Sequence, residues 1–361
     1  MFFTATVLSA IYVTAYAADF CYDEGHCDPY AWGDTYPTCH PLLEGHHSPI
    51  NLDRHVTKDV ALDALRLHGF DSVHKGQWTL SNDGHSIVLD IGSGMAVSGG
   101  GLPGSYQTVQ LHFHWGSPST NGSEHTMDTQ RFPMEMHVVN VKSVHPNLSA
   151  AMEDPTGLAV LGVFIDVVYG DNVHFSPISK ALPSIAYKGL ACVNNYFLFK
   201  WRCHFYQSGL SLVLQSKNGR RRWRDLLLSP AGQTTAVRPF PLIGLLPQAN
   251  LTQYYRYHGS LTTPPCSQVV VWTVYEVPVH ISWGQLEQFT GGVYVTEEGA
   301  EHGTQLRDNF RHIHPVFSRV VHASRDARLL AGVAAARHAS GLLLLLLPAG
   351  LCCLTPGLVR A

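Results

Sequence analysis

Along most of the chain, apolar and polar residues alternate in short runs separated by Gly, Pro, Asn and Asp. Period-two alternation predicts half-buried strands, because helical apolar positions recur every three to four residues instead. The runs Trp78 to Leu80, Ser86 to Ile91, Val109 to Trp115, Glu135 to Val141, Ala159 to Val168 and Val269 to Tyr275 predict one mainly antiparallel sheet. No repeat and no long Gly/Ser linker interrupts the pattern. The 361 residues suffice for one large domain or two ordinary ones.

Both ends read as processing signals. Residues 1–17 join an apolar run, Val7 to Val13, to the small-x-small triplet Ala15-Tyr16-Ala17, as a signal peptide does, although no Lys or Arg precedes the run. Residues 321–361 read as a lipid-anchor signal. Ala323-Ser324 or Ala331-Gly332 offers small residues for attachment, and Gly341 to Val359 supplies an apolar tail centred on six consecutive leucines. Only Arg360 and Ala361 follow, so no cytoplasmic stop remains. The expected location is the extracellular face of the plasma membrane on a GPI anchor; the alternative is a single C-terminal transmembrane helix, whose span the tail barely reaches.

A secretory route makes the eight cysteines readable as disulfides. Cys352 and Cys353 leave with the tail, and Cys192 and Cys203 fall in an atypical segment. Cys21, Cys27, Cys39 and Cys266 then allow three pairings, of which short separation favours Cys21 with Cys27 and leaves Cys39 for Cys266. Sequons at Asn121, Asn147 and Asn250 fit the same route. The net charge of -3, with both signs interspersed, gives no nucleic-acid footprint.

The atypical segment is 190–231, first apolar and aromatic (Tyr196 to Trp201), then basic (Lys217 to Arg224). It reads as an insertion and is consistent with retained intron sequence, since Gly189 and Gly232 share GGN codons and splicing there would leave one glycine.

The candidate chemistry lies in two of the strands. In Gln110-Leu111-His112-Phe113-His114-Trp115 the histidines are two residues apart, so both imidazoles leave the same face. A second alternating run presents Glu135, His137 and Val139 on one face, and a neighbouring strand of this kind completes three ligands. Three neutral imidazoles with an open fourth position describe a catalytic Zn2+ site, whereas a structural site is closed. Gln110 and Glu135 are placed to receive the second ring N–H of a ligand. The absence of His-Glu-x-x-His argues against a zinc peptidase.

Seven ordered motifs together resemble the alpha carbonic anhydrases: Ser48 to Leu52, Asn82 to Ser86, Gln110 to Gly116, Gly122 to His125, Glu135 to His137, Gly259 to Pro265 and Asp308 to Arg311. The resemblance covers about Cys21 to Pro315 apart from the atypical segment, and is strongest with the membrane-anchored group. It implies a single α+β domain, mainly β, over 18–320, built around a large, mostly antiparallel twisted sheet with small peripheral helices. It also implies reversible hydration of carbon dioxide to bicarbonate. The zinc ligands fall on His112, His114 and His137, with Gln110, Glu135 and Asn309 behind them. Thr262 matches the threonine that orients the nucleophile while donating its own proton to a carboxylate, here Glu124. His85 matches the proton shuttle. Val139, Val160, Leu261, Thr263, Val270 and Trp272, with Thr262, match the substrate pocket, and Tyr257, whose neighbourhood matches the family, is expected to help order water in the cavity. His47, His312 and His314 depart from the Gln, Pro and Gln common at these places in the family. The rival reading is a non-catalytic surface binding protein of the same fold, which would normally lack a ligand histidine.

Overall fold

The computed structural model describes residues 20–23, 27–40, 45–189 and 233–328. The signal peptide of residues 1–17, the atypical segment 190–231 and the apolar tail Gly341 to Val359 lie outside the described residues.

Among the described residues the strands, in chain order, are β1 Asn51–Leu52, β2 Thr57–Lys58, β3 Leu65–His68, β4 Trp78–Asn82, β5 Ile87–Asp90, β6 Ala96–Gly99, β7 Tyr106–Trp115, β8 Thr126–Met127, β9 Met134–Lys142, β10 Leu158–Val168, β11 Gln233–Val237, β12 Tyr254–Gly259, β13 Val270–Ser282 and β14 His322–Ala323. The main sheet follows the order β11-β4-β5-β7-β9-β10-β13-β12-β14-β2, with β3 and β6 branching from β7 and β1 pairing β8 separately. It is a large mixed twisted sheet, mainly antiparallel. The parallel pairs are β10 with β13, β14 with β2, and β1 with β8. Parallel neighbours need a long crossover, and the chain between Val168 and Val270 provides it.

Alternation sorts the side chains into two cores. Leu111, Phe113, Trp115, Met136, Val138, Leu161 and Val163 bury one face of the central strands. The other face carries Val139, Val160, Phe164, Tyr255, Tyr257, Trp272 and Val274. The histidines share parity with this second set, so the period-two pattern that builds the sheet also brings the three candidate ligands to one face. Both cores contain large side chains at or near 0% exposure, each contributing about 1.5–3 kcal/mol of burial. One end of the first core is closed by the helix Trp283–Thr290, whose start is fixed by a capping box between Ser282 and Gln285.

Three boundaries differ from the sequence expectation. Strand β13 continues past Tyr275 to Ser282, because a register shift in β10 between Val163 and Ile165 restores pairing from Ile165 to Val279 onward. Strand β12 was not expected: its tyrosines alternate with Arg256 and His258, a pattern that hides how deeply the strand is buried. The domain also runs beyond residue 320. Ala323 and Ser324 are wholly buried, Ala323 pairs with Tyr255, and Ser324 Oγ accepts the Tyr254 N–H at 3.0 Å. An attachment site at Ala323-Ser324 is therefore incompatible with the fold, and the alternative expected at Ala331-Gly332 lies outside the described residues.

Disulfides join Cys21 to Cys27 and Cys39 to Cys266. The second ties the N-terminal segment to the loop carrying Thr262 and Thr263.

Candidate active site

His112 on β7 lies directly opposite His137 on β9, and His114 lies opposite Glu135. The three imidazole centroids are 4.7–5.2 Å apart, and one ring nitrogen from each lies within 4.8 Å of the others. Each ring's second nitrogen is held by a different acceptor. His112 Nδ1–H donates to Gln110 Oε1 at 2.9 Å, His114 Nδ1–H to the Asn309 carbonyl at 2.7 Å, and His137 Nε2–H to Glu135 Oε1 at 2.8 Å. Carbonyl and carboxylate oxygens only accept, so the protons sit on these nitrogens and the lone pairs fall on His112 Nε2, His114 Nε2 and His137 Nδ1.

Burial, and then the neighbouring His114 and His137, hold the His112 imidazole well below its ordinary pKa. Burial also lowers His114, against the opposing pull of Glu124. Neutral imidazoles are the form that binds a metal. His114 Nε2 is buried with no hydrogen-bond partner, a costly arrangement for an isolated polar atom. This orphaned nitrogen, together with the donor set of three imidazoles, fits zinc.

Behind the ligands runs a buried polar chain that the sequence reading did not assign. Glu135 Oε1 also accepts from His125 Nδ1 at 2.7 Å, and Glu135 Oε2 accepts the His125 backbone N–H at 2.7 Å. His125 Nε2 lies 2.6 Å from the Tyr257 hydroxyl, which is 2.9 Å from Ser48 Oγ. Burial pushes the Glu135 carboxyl up, but the His125 charge and hydrogen bonds from His125 and His137 bring it well below the usual carboxylate range. Tyr257 is 0% exposed and its hydroxyl is committed to this chain, so it supports His125 rather than ordering cavity water.

Glu124 Oε1 accepts the Arg311 backbone N–H at 2.8 Å. Its Oε2 has no hydrogen-bond donor and stands 3.4 Å from His114 Nε2, so the bond implied from Thr262 is not formed at this oxygen. Arg311 was another unassigned residue. It is wholly buried, donates to the Ser48 and Cys39 carbonyls at 3.1 Å each, and thereby ties the N-terminal segment to the site.

Asn309 does more than hold His114. Its Oδ1 accepts the Trp115 N–H at 2.8 Å and its Nδ2 donates to the His85 carbonyl at 2.9 Å. The half-buried His85 ring stacks on Phe20, centroids 3.9 Å apart. Val139, Val160 and Trp272 form one row across β9, β10 and β13, with Val270 two residues along β13 from Trp272. Leu261 packs against the same core, while Thr262 and Thr263 occupy the adjoining loop, where the Thr263 carbonyl accepts from Cys266 N–H at 2.9 Å. Trp272 places its ring 4.8 Å from His137. Of the sequon residues, Asn121 and Asn147 are exposed and Asn250 is partly exposed.

Comparison with known proteins agrees with the fold. A family model for eukaryotic-type carbonic anhydrase matches residues 27–204 and 226–325. Mouse carbonic anhydrase 15 is 33% identical over 323 residues, covering 87% of this chain and 86% of the relative. Mouse carbonic anhydrase 4 is 32% identical over 330 residues, 88% of this chain and 90% of the relative. Human carbonic anhydrase 12 is 32% identical over 297 residues, 81% and 70%. The chain belongs to the eukaryotic-type carbonic anhydrase family, whose reaction is carbonate dehydration and its reverse.

Proposed function

We propose that this chain is a zinc-dependent carbonic anhydrase working at the extracellular face of the plasma membrane. The observation that carries the reading is the convergence of His112, His114 and His137, each with its second nitrogen held by an acceptor, beside the apolar row of Val139, Val160 and Trp272. His112, His114 and His137 hold the metal; bound there, zinc supplies a Lewis acid that lowers the pKa of water from about 15.7 towards 7.

The remaining work belongs to the chain. Val139, Val160, Leu261, Val270 and Trp272 give nonpolar carbon dioxide a dry wall, and Thr262 and Thr263 border it with hydroxyls. Thr262 borders the reacting position with its hydroxyl, and Glu124 Oε2, which accepts from no donor in this structure, is the acceptor that the family resemblance assigns to it. His85 takes the proton released in each turnover, which an imidazole does near neutral pH. Gln110, Asn309 and Glu135 fix the ligand tautomers. A non-catalytic binding role is disfavoured because all three ligand histidines remain.

Residues 1–17 direct secretion, Asn121, Asn147 and Asn250 are the glycan acceptors, and attachment at Ala331-Gly332 places the enzyme on a GPI anchor. Among the described residues no helix is long and apolar enough to cross a membrane. Two measurements test the whole reading: metal analysis with a carbon dioxide hydration assay on the purified protein, and release of active protein from intact cells by a phospholipase that cleaves lipid anchors. A metal-free protein without hydration activity overturns the first part, and retention after cleavage of a control anchor favours a transmembrane tail.

A further inference from the structure

Along β12, Arg256 and His258 alternate with Tyr255 and Tyr257 and so leave the sheet on the face away from the zinc ligands. There they line a cavity of about 400 Å³ together with Arg319, His46, His322 and Asp59. Arg256 is only 5% exposed. Its Nε and Nη2 both donate to the neutral Thr273 Oγ1, at 3.2 and 2.9 Å, and its guanidinium lies 5.4 Å from the Tyr254 ring centre. Among the described residues it belongs to no ion pair. Arg319 likewise donates only to carbonyls, those of Val316, His47, His258 and Pro315.

A buried guanidinium with neutral partners alone keeps most of the cost of leaving water, since hydroxyl and aromatic contacts offset only part of it. The one lining carboxylate, Asp59, does not supply the counter-charge. It is 3.9 Å from His322 Nδ1 and its Oδ1 accepts the Ala61 N–H. His322 Nδ1 is itself buried without a hydrogen-bond partner. Apart from the histidines, the lining carries two positive charges against one negative, and the missing element is a small acceptor with negative charge.

We infer that this cavity is a binding site for a small oxyanion of the sulfate, phosphate or bicarbonate type, held by Arg256 and Arg319 with His258 and His322 at its edge. With Arg256 Nε and Nη2 on Thr273 and Arg319 largely taken up by carbonyls, Arg256 Nη1 is the donor left for such an anion, and a charge-assisted bond of this kind is stronger than a neutral one. The site is separate from the zinc centre and takes no part in the proposed hydration chemistry.

The test is an NMR titration of the full zinc-loaded protein with sodium sulfate, phosphate or bicarbonate at constant ionic strength, following the imidazole C2–H signals of His258 and His322. Both signals should shift and saturate together with at least one of the three anions, and the ranking of the three identifies the ligand within the class. Arg256→Gln should weaken binding at least about 10-fold, as loss of a charged hydrogen bond implies, while leaving carbon dioxide hydration unchanged. Should Arg256→Gln fail to fold, Arg256→Lys is expected to retain charge but bind more weakly, and exposed His258→Ala should weaken binding without loss of fold. Linear, unsaturated shifts with all three anions, or undiminished saturable binding in Arg256→Gln, would overturn the assignment.

Discussion

Gly162 on β10 lies directly across from His137 on β9, and a Cβ at Gly162 would come within 3.2 Å of Glu135 Oε1. Val274 closes the other side at 3.3 Å. Glu135 cannot retreat, because the same oxygen holds both His125 and His137. Gly162→Val is therefore expected to cost about 1–3 kcal/mol through overpacking and to weaken zinc binding about 10-fold or more by displacing Glu135. Urea unfolding and competition with a zinc chelator measure the two effects; wild-type affinity in a folded variant would show that Glu135 tolerates the shift.

Removal of a ligand should be more severe. His112→Ala, His114→Ala or His137→Ala each leaves two imidazoles, too few for tight binding, so most of the metal and activity should disappear. Stoichiometric zinc and full activity in any one of them would contradict the ligand assignment. Glu135→Gln retains an acceptor oxygen and should lose only about 10–100-fold in affinity or activity.

Proton transfer is separable from metal binding. His85→Ala should slow hydration mainly in dilute buffer, with added imidazole restoring part of the rate. An equal loss at every buffer concentration would instead assign His85 a structural part through its stacking on Phe20.

Acid should destabilise the enzyme through histidines outside the metal site. His47 and His314 rings are 5.0 Å apart, and His312 and His314 rings 4.5 Å apart. Burial, then Arg311, pushes His47 and His312 down to about 4 and His314 to about 2. Arg319 also faces His47 and His314, Arg131 and Asp28 face His312, and the His40 carbonyl faces His47. These folded values lie below the unfolded value of about 6.5, so the unfolded chain binds the extra protons. Their stability contribution is complete above about pH 6.5 and is lost as pH falls towards 4, each group costing up to about 1.4 kcal/mol per pH unit. Urea midpoints measured between pH 7.5 and 5 should fall accordingly, and His47→Gln or His314→Gln should flatten the dependence. An unchanged slope in both variants would exclude the cluster as its source.

The segment 190–231 should be dispensable. Its flanks meet in space, since the Tyr187 N–H donates to Gln233 Oε1 at 3.1 Å, and each flank is anchored separately. Lys188 N–H donates to the Thr296 carbonyl at 3.0 Å, while Gln233 to Val237 pair with β4. The family match also omits residues 205–225. Joining Lys188 through one glycine to Gln233 should give a protein that is secreted at least as well and remains active. Loss of zinc binding on deletion, with an active full-length chain, would make the segment part of the fold.

Strand alternation is short-range, so His112 and His114 announce their common face within two residues, whereas His137 joins them only through the pairing of β7 with β9. The roles proposed for Glu124, Thr262 and His85 rest only on resemblance, since a carboxylate, a turn threonine and a loop histidine have no distinctive local pattern. His125 and Arg311 stood inside quoted motifs without a role. Their partners, Tyr257 and Ser48 for one and Cys39 and Ser48 for the other, are brought together only by the tertiary fold. Burial of Ala323 and Ser324 was equally hidden, because a two-residue strand gives no periodic signal.

The Asn309 carbonyl that fixes His114 lies 195 residues further along the chain. During synthesis the strands bearing His112, His114 and His137 emerge first, but the His114 ring cannot be locked until residue 309 has been made. Metal capture in its final geometry is therefore a late event of biogenesis, falling after nearly all of the catalytic domain has been made. A chain truncated before Asn309 would display the three histidines yet lack the contact that sets the tautomer of one of them, and it should leave the ribosome as a poor competitor for zinc.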